Sequence, residues 1–373
     1  MESDWENLPE ELLDLVFKRL VLHLDSLRFA VVCKSWYWVS KNKQINSVPM
    51  LLIPDRQKDT WNLCDVTNDK VLKMQLRWMK KRFCGSSKGW LIVCDENFVV
   101  TLINPSSRVK GRKEKENSIV RLPPLDPPGQ YRKSAHAKHC EYFVYKATIS
   151  ADPISNANDC IVVVIYNPRC ELAFIRLGDN KWTYFDETGY EIWCLFEDIA
   201  QIGDKSYVVT SCESQLLTFE YTTQRILNIN LVAPCSETEE YMKAYLVGSN
   251  EEELLLVHRY TTYTNHCRVT NGFRIFKLNY DTREWIEKND LGDFSLFVGD
   301  NSSISVVASK IQGCESNCIY FYADCDRIVR YCPFTDFGVY NVKSQRILKP
   351  AHVKTLMKKL KQPPIWFLPS VYL

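Results

Sequence analysis

Lys277-Leu-Asn-Tyr-Asp-Thr-Arg-Glu-Trp-Ile286 reads as a strand entering a tight polar turn and leaving it on a second strand that carries one Trp. Asn, Asp and Thr suit such a turn because their side chains bond nearby backbone. Phe219-Glu-Tyr-Thr-Thr-Gln224 and Val339-Tyr-Asn-Val-Lys-Ser-Gln345 repeat the first half of the pattern. The second half, one aliphatic or Trp residue just after a polar turn, recurs at Val71, Val120, Trp182, Ile226, Trp285 and Ile347. Successive differences are 49, 62, 44, 59 and 62 residues. Kelch-type blades run to about 50 residues, so the spacing predicts six four-stranded propeller blades with unequal loops.

The residues between these positions support an all-β reading. Short runs rich in β-branched and aromatic residues alternate with turn formers. Examples are Pro49–Ile53, Gly89–Val93, Phe98–Ile103, Ile161–Ile165, Ser206–Thr210, Leu254–Val257, Phe273–Leu278 and Cys318–Tyr322. An irregular β-sandwich is the competing architecture. A closed propeller accounts better for so long a β chain, because closure removes exposed sheet edges.

The first forty residues differ. Trp5-Glu-Asn-Leu8-Pro9-Glu-Glu-Leu12-Leu13-Asp-Leu15-Val16-Phe17-Lys-Arg19-Leu20 places Leu12, Leu15, Val16 and Leu20 at helical spacing. Pro9 suits the first turn of a helix, and Glu10 and Glu11 favour its positive end. Asp25 is a candidate N-cap for a second helix with Leu27, Val31 and Val32. Residues 33–40 form a third helix or turn around Trp36. Val21-Leu-His-Leu24 is apolar enough to extend the first helix. Three short helices bury too little surface to be stable alone. Their remaining apolar residues need a partner, in this chain or another.

The order Leu-Pro-x-Glu-Leu-Leu, then Arg-Leu, then Val-Cys-Lys-x-Trp resembles an F-box, the helical module that docks substrate receptors onto Skp1 in cullin-type ubiquitin ligases. Late in the chain, Leu291–Gly299, Asn317–Phe321, Gly338–Asn341 and Pro363-Pro-Ile-Trp-Phe367 resemble plant F-box proteins with a KIB-type β-propeller. The implied fold is mainly β: a three-helix F-box over 1–44 and a kelch-like propeller over 45–350. A C-terminal helix and Pro-Pro-Ile-Trp-Phe tail over 351–373 would pack on the propeller. The implied Skp1 contacts are Leu8, Pro9, Leu12, Leu15, Val16, Leu20, Leu27, Val31, Cys33 and Trp36. Contact and core residues are not separable at this level.

The implied function is non-catalytic: the substrate-recognition subunit of an SCF-type ligase, bound to Skp1 and through it a cullin, with the propeller holding a target protein. Two alternatives remain. One is an F-box scaffold that assembles no ligase. The other is a small-ligand-binding propeller with a helical cap, although no titratable cluster for its channel stands out.

Composition narrows the rest. In 373 residues, 47 Lys and Arg oppose 45 Asp and Glu. That balance argues against a nucleic-acid partner. No apolar run approaches the roughly 20 residues of a membrane span. Fifteen cysteines, an odd count without a visible secretory leader, predict reduced thiols and a nuclear or cytoplasmic protein. The sequon Asn301-Ser-Ser303 would then stay unglycosylated. No cofactor is implied. Structural zinc prefers two close ligand pairs. Cys314 and Cys318 supply one, Cys325 and Cys332 are too far apart for the other, and His136, His139 and Cys140 are weaker still. No metal is therefore expected. Gly85-Ser-Ser-Lys-Gly89 lacks the Walker order and predicts a β-turn. Lys110–Asn117 reads as a solvated charged hairpin. Tyr260–Tyr263 and Tyr184-Phe185 are candidates for a binding face, of undetermined orientation.

Overall fold

The computed structural model describes residues 5–20, 25, 29–30, 32–42, 48–54, 60–68, 70–75, 82–105, 119–125, 143–167, 169–185, 195–203, 205–211, 214–221, 226–234, 243–249, 253–264, 267–324, 336–350, 357, 360 and 363–369. Six sheets follow one another along the chain and make a six-bladed β-propeller. The first blade holds β1 (Met50–Pro54), β2 (Thr60–Asp65) and β3 (Lys70–Gln75). The second holds β4 (Arg82–Ser87), β5 (Trp90–Cys94), β6 (Val99–Ile103) and β7 (Ile119–Pro124). The third comprises β8 (Val144–Ile149), β9 (Ile161–Tyr166), β10 (Glu171–Arg176) and β11 (Thr183–Tyr184). The fourth comprises β12 (Phe196–Ile202), β13 (Lys205–Thr210), β14 (Leu216–Tyr221) and β15 (Ile226–Ala233). The fifth has β16 (Lys243–Gly248), β17 (Leu254–Thr264), β18 (Cys267–Asn279) and β19 (Glu284–Glu287). The sixth has β20 (Phe294–Gly299), β21 (Ser302–Val307), β22 (Cys318–Phe321), β23 (Gly338–Asn341) and β24 (Arg346–Leu348).

The six positions singled out by turn chemistry lie in or immediately before β3, β7, β11, β15, β19 and β24, the outermost strand of each blade. The turns behave as their residues dictate. Asn279 Oδ1 accepts the amides of Asp281 and Thr282 at 3.0 and 3.3 Å, and Asn341 Oδ1 accepts that of Ser344 at 2.9 Å. Arg283 and Gln345 then take φ of 58° and 53°, closing each turn in the left-handed region. Lys88 and Gly89, with φ of 50° and 78°, form the two-residue turn between β4 and β5.

Adjacent blades bury their faces against each other. In β9, Val162, Val164 and Tyr166 face the second blade, while Ile161, Val163 and Ile165 face the fourth. A strand buried on both faces reads as a continuous apolar run, as Ile161–Ile165 does. The inner strands β4, β8, β12, β16 and β21 form a ring around the axis, completed by β25 (Ile365–Phe367). At Gly85 a Cβ would lie 2.1 Å from the Ala147 carbonyl oxygen, so β4 and β8 approach too closely for any side chain there.

Two blades depart from the expected pattern. The sixth has five strands rather than four, in the order β21-β20-β22-β23-β24. The β20–β21 hairpin folds inward and fills the axial position with its second strand, leaving β22 parallel to β20. The first blade is completed by β25, which pairs with β1 through Met50↔Phe367, Leu51↔Trp366 and Leu52↔Ile365. The Pro-Pro-Ile-Trp-Phe tail is therefore a strand of the propeller rather than a segment packed upon it, and the domain extends past 350. Its apolar residues find their place there: Trp366 is 2 % exposed and meets Phe297 edge-on at 4.9 Å. The expected helix over 351–361 lies almost wholly outside the described residues.

The N-terminal segment contains α1 (Glu10–Lys18) and α2 (Lys34–Asn42), and Asp25, Phe29 and Ala30 between them are also helical. A separate middle helix falls mostly outside the described residues, and among those residues two of the three expected helices stand complete. Pro9 occupies the N-cap rather than the first turn, and its carbonyl accepts the amides of Leu12 and Leu13 at 3.0 and 3.1 Å. The helix ends at Lys18 with Arg19 as its C-cap, and Val21–Leu24 lie outside the described residues.

Candidate functional site

Helix α1 is apolar on two sides. Leu13 is buried with Phe29 and Val39, and Leu8, Phe17, Leu20 and Trp36 pack against them. The rings of Phe17 and Trp36 lie 5.1 and 4.4 Å from that of Phe29. Trp36 Nε1 donates to the Trp5 carbonyl at 2.9 Å, tying the segment before α1 to α2. Leu12, Leu15 and Val16, on the other side of the helix, are 47, 53 and 40 % exposed. Glu10, Glu11, Asp14 and Lys18 fill the remaining face of the helix, with Lys18 Nζ 3.2 Å from Asp14 Oδ2.

The ten expected contacts thus separate into groups. Pro9, Leu12, Leu15 and Val16 face solvent. Leu8, Leu20 and Trp36 contribute to the module's own core, and Cys33 is half-buried. Leu27 and Val31 lie outside the described residues. Val32 and Trp38 are not among those ten, yet both are exposed and apolar. The exposure of Val32 had no sequence signal, whereas Trp38 could have been found as a second Trp two residues beyond Trp36.

The propeller axis is polar. Asp198 in β12 pairs with Lys146 in β8, and its Oδ2 accepts the Leu246 amide of β16 at 2.7 Å. Glu197 Oε1 accepts the Ala244 amide at 2.9 Å. Lys243 Nζ meets Asp300 Oδ1 at 2.9 Å, joining the fifth blade to the sixth. Lys146 Nζ also reaches Ser303 Oγ at 3.4 Å, spanning from the third blade to the opposite sixth. Sequence reading saw no titratable cluster for the channel; the structure assembles one from residues far apart in the chain. Lys146 and Lys88 line a cavity of about 230 Å³.

Between the fifth and sixth blades, Arg259 is buried with Asp324 and Asp336, each 2.8 Å away. Burial works against its charge, but Tyr245 and the two carboxylates outweigh that and raise its pKa. Ser214 Oγ and His258 Nε2 are 3.3 Å apart, but both residues are sealed from solvent. Burial, with Arg274 nearby, lowers His258 to about 4.

Among the described residues no group of three or more His, Cys, Asp or Glu is arranged to hold a metal. Cys318 is a buried strand residue and Cys314 is half-buried, while His136, His139, Cys140, Cys325 and Cys332 lie outside the described residues. So does Lys110–Asn117. Tyr263 points to solvent, whereas Phe185 is buried between the third and fourth blades.

Fold and surface together define a six-bladed propeller preceded by a helical module with a solvent-facing apolar stripe. Residues 62–341 match the KIB1-4 beta-propeller family, and the chain belongs to it. That membership bears out the resemblance to plant F-box proteins with a propeller domain. The F-box/kelch-repeat protein At1g57790 of Arabidopsis thaliana is 26 % identical, with 85 % of this chain and 82 % of the relative covered. The F-box protein SKIP23 of the same plant is 23 % identical, covering 97 and 95 % respectively, so the similarity includes the N-terminal module. Among solved structures, the Cps50 (Swd1) β-propeller domain of Myceliophteria_thermophila aligns over 81 % of this chain and 86 % of that one. At 10 % identity and a TM-score of 0.35, it is too distant to bear on function.

Proposed function

We propose that this protein is a substrate adaptor of an SCF-type ubiquitin ligase, working in the nucleus or cytoplasm. The observation that carries the proposal is the outward face of α1. Leu12, Leu15 and Val16 stand in water on a module whose core uses a neighbouring face of the helix. Apolar residues at i, i+3 and i+4 are the anchors of a helix that docks into a partner's groove. The F-box names of the relatives point to a Skp1-type protein as that partner. A cullin would be reached through it.

In this reading the propeller holds a target protein and performs no chemistry itself. The adaptor raises the target's effective concentration near a ubiquitin-loaded enzyme supplied by other subunits, which is catalysis by proximity. The target's contacts belong to the loops, where recognition concentrates on rigid scaffolds.

Co-expression of the full chain with a Skp1-type protein and a cullin tests the proposal. Both should co-elute with the wild type, and both should be lost with Leu12→Asp. Retention of Skp1 without the cullin would indicate a scaffold that assembles no ligase. Failure of the folded wild type to retain Skp1 would overturn the adaptor reading altogether.

A further inference from the structure

The hairpin of β17 and β18 outgrows its blade. Its strands have eleven and thirteen residues, against six in the inner strand β16. Pairing of β16 with β17 ends at Lys243↔Arg259, and that of β18 with β19 ends at Phe276↔Glu287. Tyr260–Thr264 and their ladder partners Cys267–Gly272 run on beyond those points as a two-stranded arm, with a bulge between Tyr260 and Thr261.

A two-stranded hairpin alone is marginally stable in water. The sixth blade supplies the missing support at the root of the arm. Asp336 Oδ2 accepts the Thr270 amide at 2.9 Å, the Thr270 hydroxyl at 2.6 Å and Arg259 at 2.8 Å. Arg259 also donates from Nε to Thr270 Oγ1 at 2.8 Å. Buried ion pairs add little net stability compared with apolar packing. Their effect here is geometric: they fix the direction in which the arm leaves the propeller.

The two ends of β22 show which face that is. Ahead of β22, the Gln312 carbonyl accepts from Thr67 and Asn68 at 3.3 and 3.0 Å. That turn follows β2 and adjoins the start of β1, because Leu51 pairs with Cys64. Beyond the other end of β22, Asp324 meets Arg259 at the root of the arm. The chain arriving from the helical module therefore enters the propeller on one face, and the arm stands on the other.

Thr262, Tyr263 and Thr264 are exposed on the arm, Tyr263 by 56 %. Arg268 lies directly across the ladder from Tyr263. Tyr and Arg are residue types enriched among interface hot spots. From Leu254 to Tyr280 the sequence contains no Asp or Glu. Arg259, Arg274 and Lys277 meet carboxylates from elsewhere, those of Asp324 and Asp336, Glu287 and Glu253 respectively. Arg268 is the cation of the outer arm. His266, and Glu237, Glu239 and Glu240 ahead of β16, lie outside the described residues. An arm with a cation beside an exposed ring and no acid of its own complements negative charge.

We propose that this arm is where the propeller grips its target, and that it takes an acidic segment of the target protein against Tyr263 and Arg268. The proposal rests on the adaptor reading, since it names the surface that holds the target. An arm already fixed at its root loses little freedom on binding.

A random dodecapeptide phage library panned on full-length wild type, with the double variant Tyr263→Ala, Arg268→Ser as parallel bait, tests the assignment. Peptides retained by wild type over the variant should carry net negative charge. A synthetic copy should bind wild type in the micromolar range by fluorescence anisotropy, more weakly as salt is added. Its Kd should rise about tenfold or more in Tyr263→Ala and in Arg268→Ser taken singly. Circular dichroism checks the fold of each variant, and each should still retain a Skp1-type protein. Selected peptides without net negative charge would overturn the proposal. So would equal affinity in wild type and both folded single variants, or a library that yields nothing to distinguish the two baits. Any of these with Skp1 retained would sink the arm alone, whereas failure of the wild type to retain Skp1 would sink the adaptor reading.

Discussion

Replacing Trp366 with Ala should unfasten the ring. The indole is 2 % exposed, lies 4.9 Å from the Phe297 ring and 5.9 Å from that of Tyr322, and donates from Nε1 to the Val298 carbonyl at 3.1 Å. These partners belong to the sixth blade, whereas Trp366 itself pairs with Leu51 of the first. The side chain therefore bonds the last blade to the first at the point where the chain closes. Large-to-small changes at buried Trp cost about 3–5 kcal/mol. The upper half of that range applies, because a hydrogen-bond donor is lost along with the packing. About 4 kcal/mol is a large share of the roughly 5–15 kcal/mol that stabilises a domain. At about 2 °C per kcal/mol, the lower end for large domains, the melting midpoint should fall by roughly 8 °C. Leu348→Ala is the control: it lies in β24, an outer strand, and is 57 % exposed. It should stay within about 0.5 kcal/mol of wild type. Differential scanning fluorimetry on the three proteins decides the matter. Equal midpoints for Trp366→Ala and Leu348→Ala would refute the view that β25 closes the propeller.

Other expected outcomes concern buried charge, pH and the helical module. Arg259→Met leaves Asp324 and Asp336 buried without their cation, and should cost about 3–5 kcal/mol in urea unfolding; a near-neutral change would contradict the ion-pair account. His258 has a pKa of about 4 in the fold against an ordinary 6.5. The unfolded chain therefore binds a proton between those values and the fold does not, so stability falls as pH drops from about 6.5 to about 4. The total is on the order of 3 kcal/mol. His258→Gln should flatten that part of the profile, and parallel profiles for the two proteins would exclude the effect. In the helical module, Leu13→Ala should lower stability by about 2–5 kcal/mol, whereas Leu12→Ala should change it by less than about 1 kcal/mol. Equal losses on chemical unfolding would mean that the two faces of α1 are not distinct.

What the sequence revealed followed physical range. Turns are local, so Asn279 to Arg283 and Asn341 to Gln345 announced their hairpins, and the outer strand of every blade was legible. Double burial also left a local trace in Ile161–Ile165. Closure is not local: β1 and β25 pair across more than three hundred residues, and no pattern within Ile365–Phe367 names Met50–Leu52 as its partner. The inward fold of β20 and β21 was hidden for a similar reason, since any hairpin of alternating apolar residues reads alike whichever strand faces the axis. The channel was least legible. Lys146, Asp198 and Asn301 lie in or beside three different strands, more than fifty residues apart in the chain, and only the ring brings them together. On α1 the apolar positions were clear, but which stripe faces inward depends on Phe29 and Val39.

The most direct test of the docking face is the dissociation constant of a purified Skp1-type protein for the full chain, measured by calorimetry for wild type and Leu15→Asp. Leu15 is 53 % exposed and outside the module's core, so the substitution should leave the circular dichroism spectrum unchanged. A carboxylate forced into an apolar contact should cost roughly 2 kcal/mol or more, about thirtyfold in Kd. Tight binding by wild type and at least that loss in the variant is the predicted result. Equal affinities for the two proteins, or no binding by wild type, would contradict the claim that this face docks the ligase.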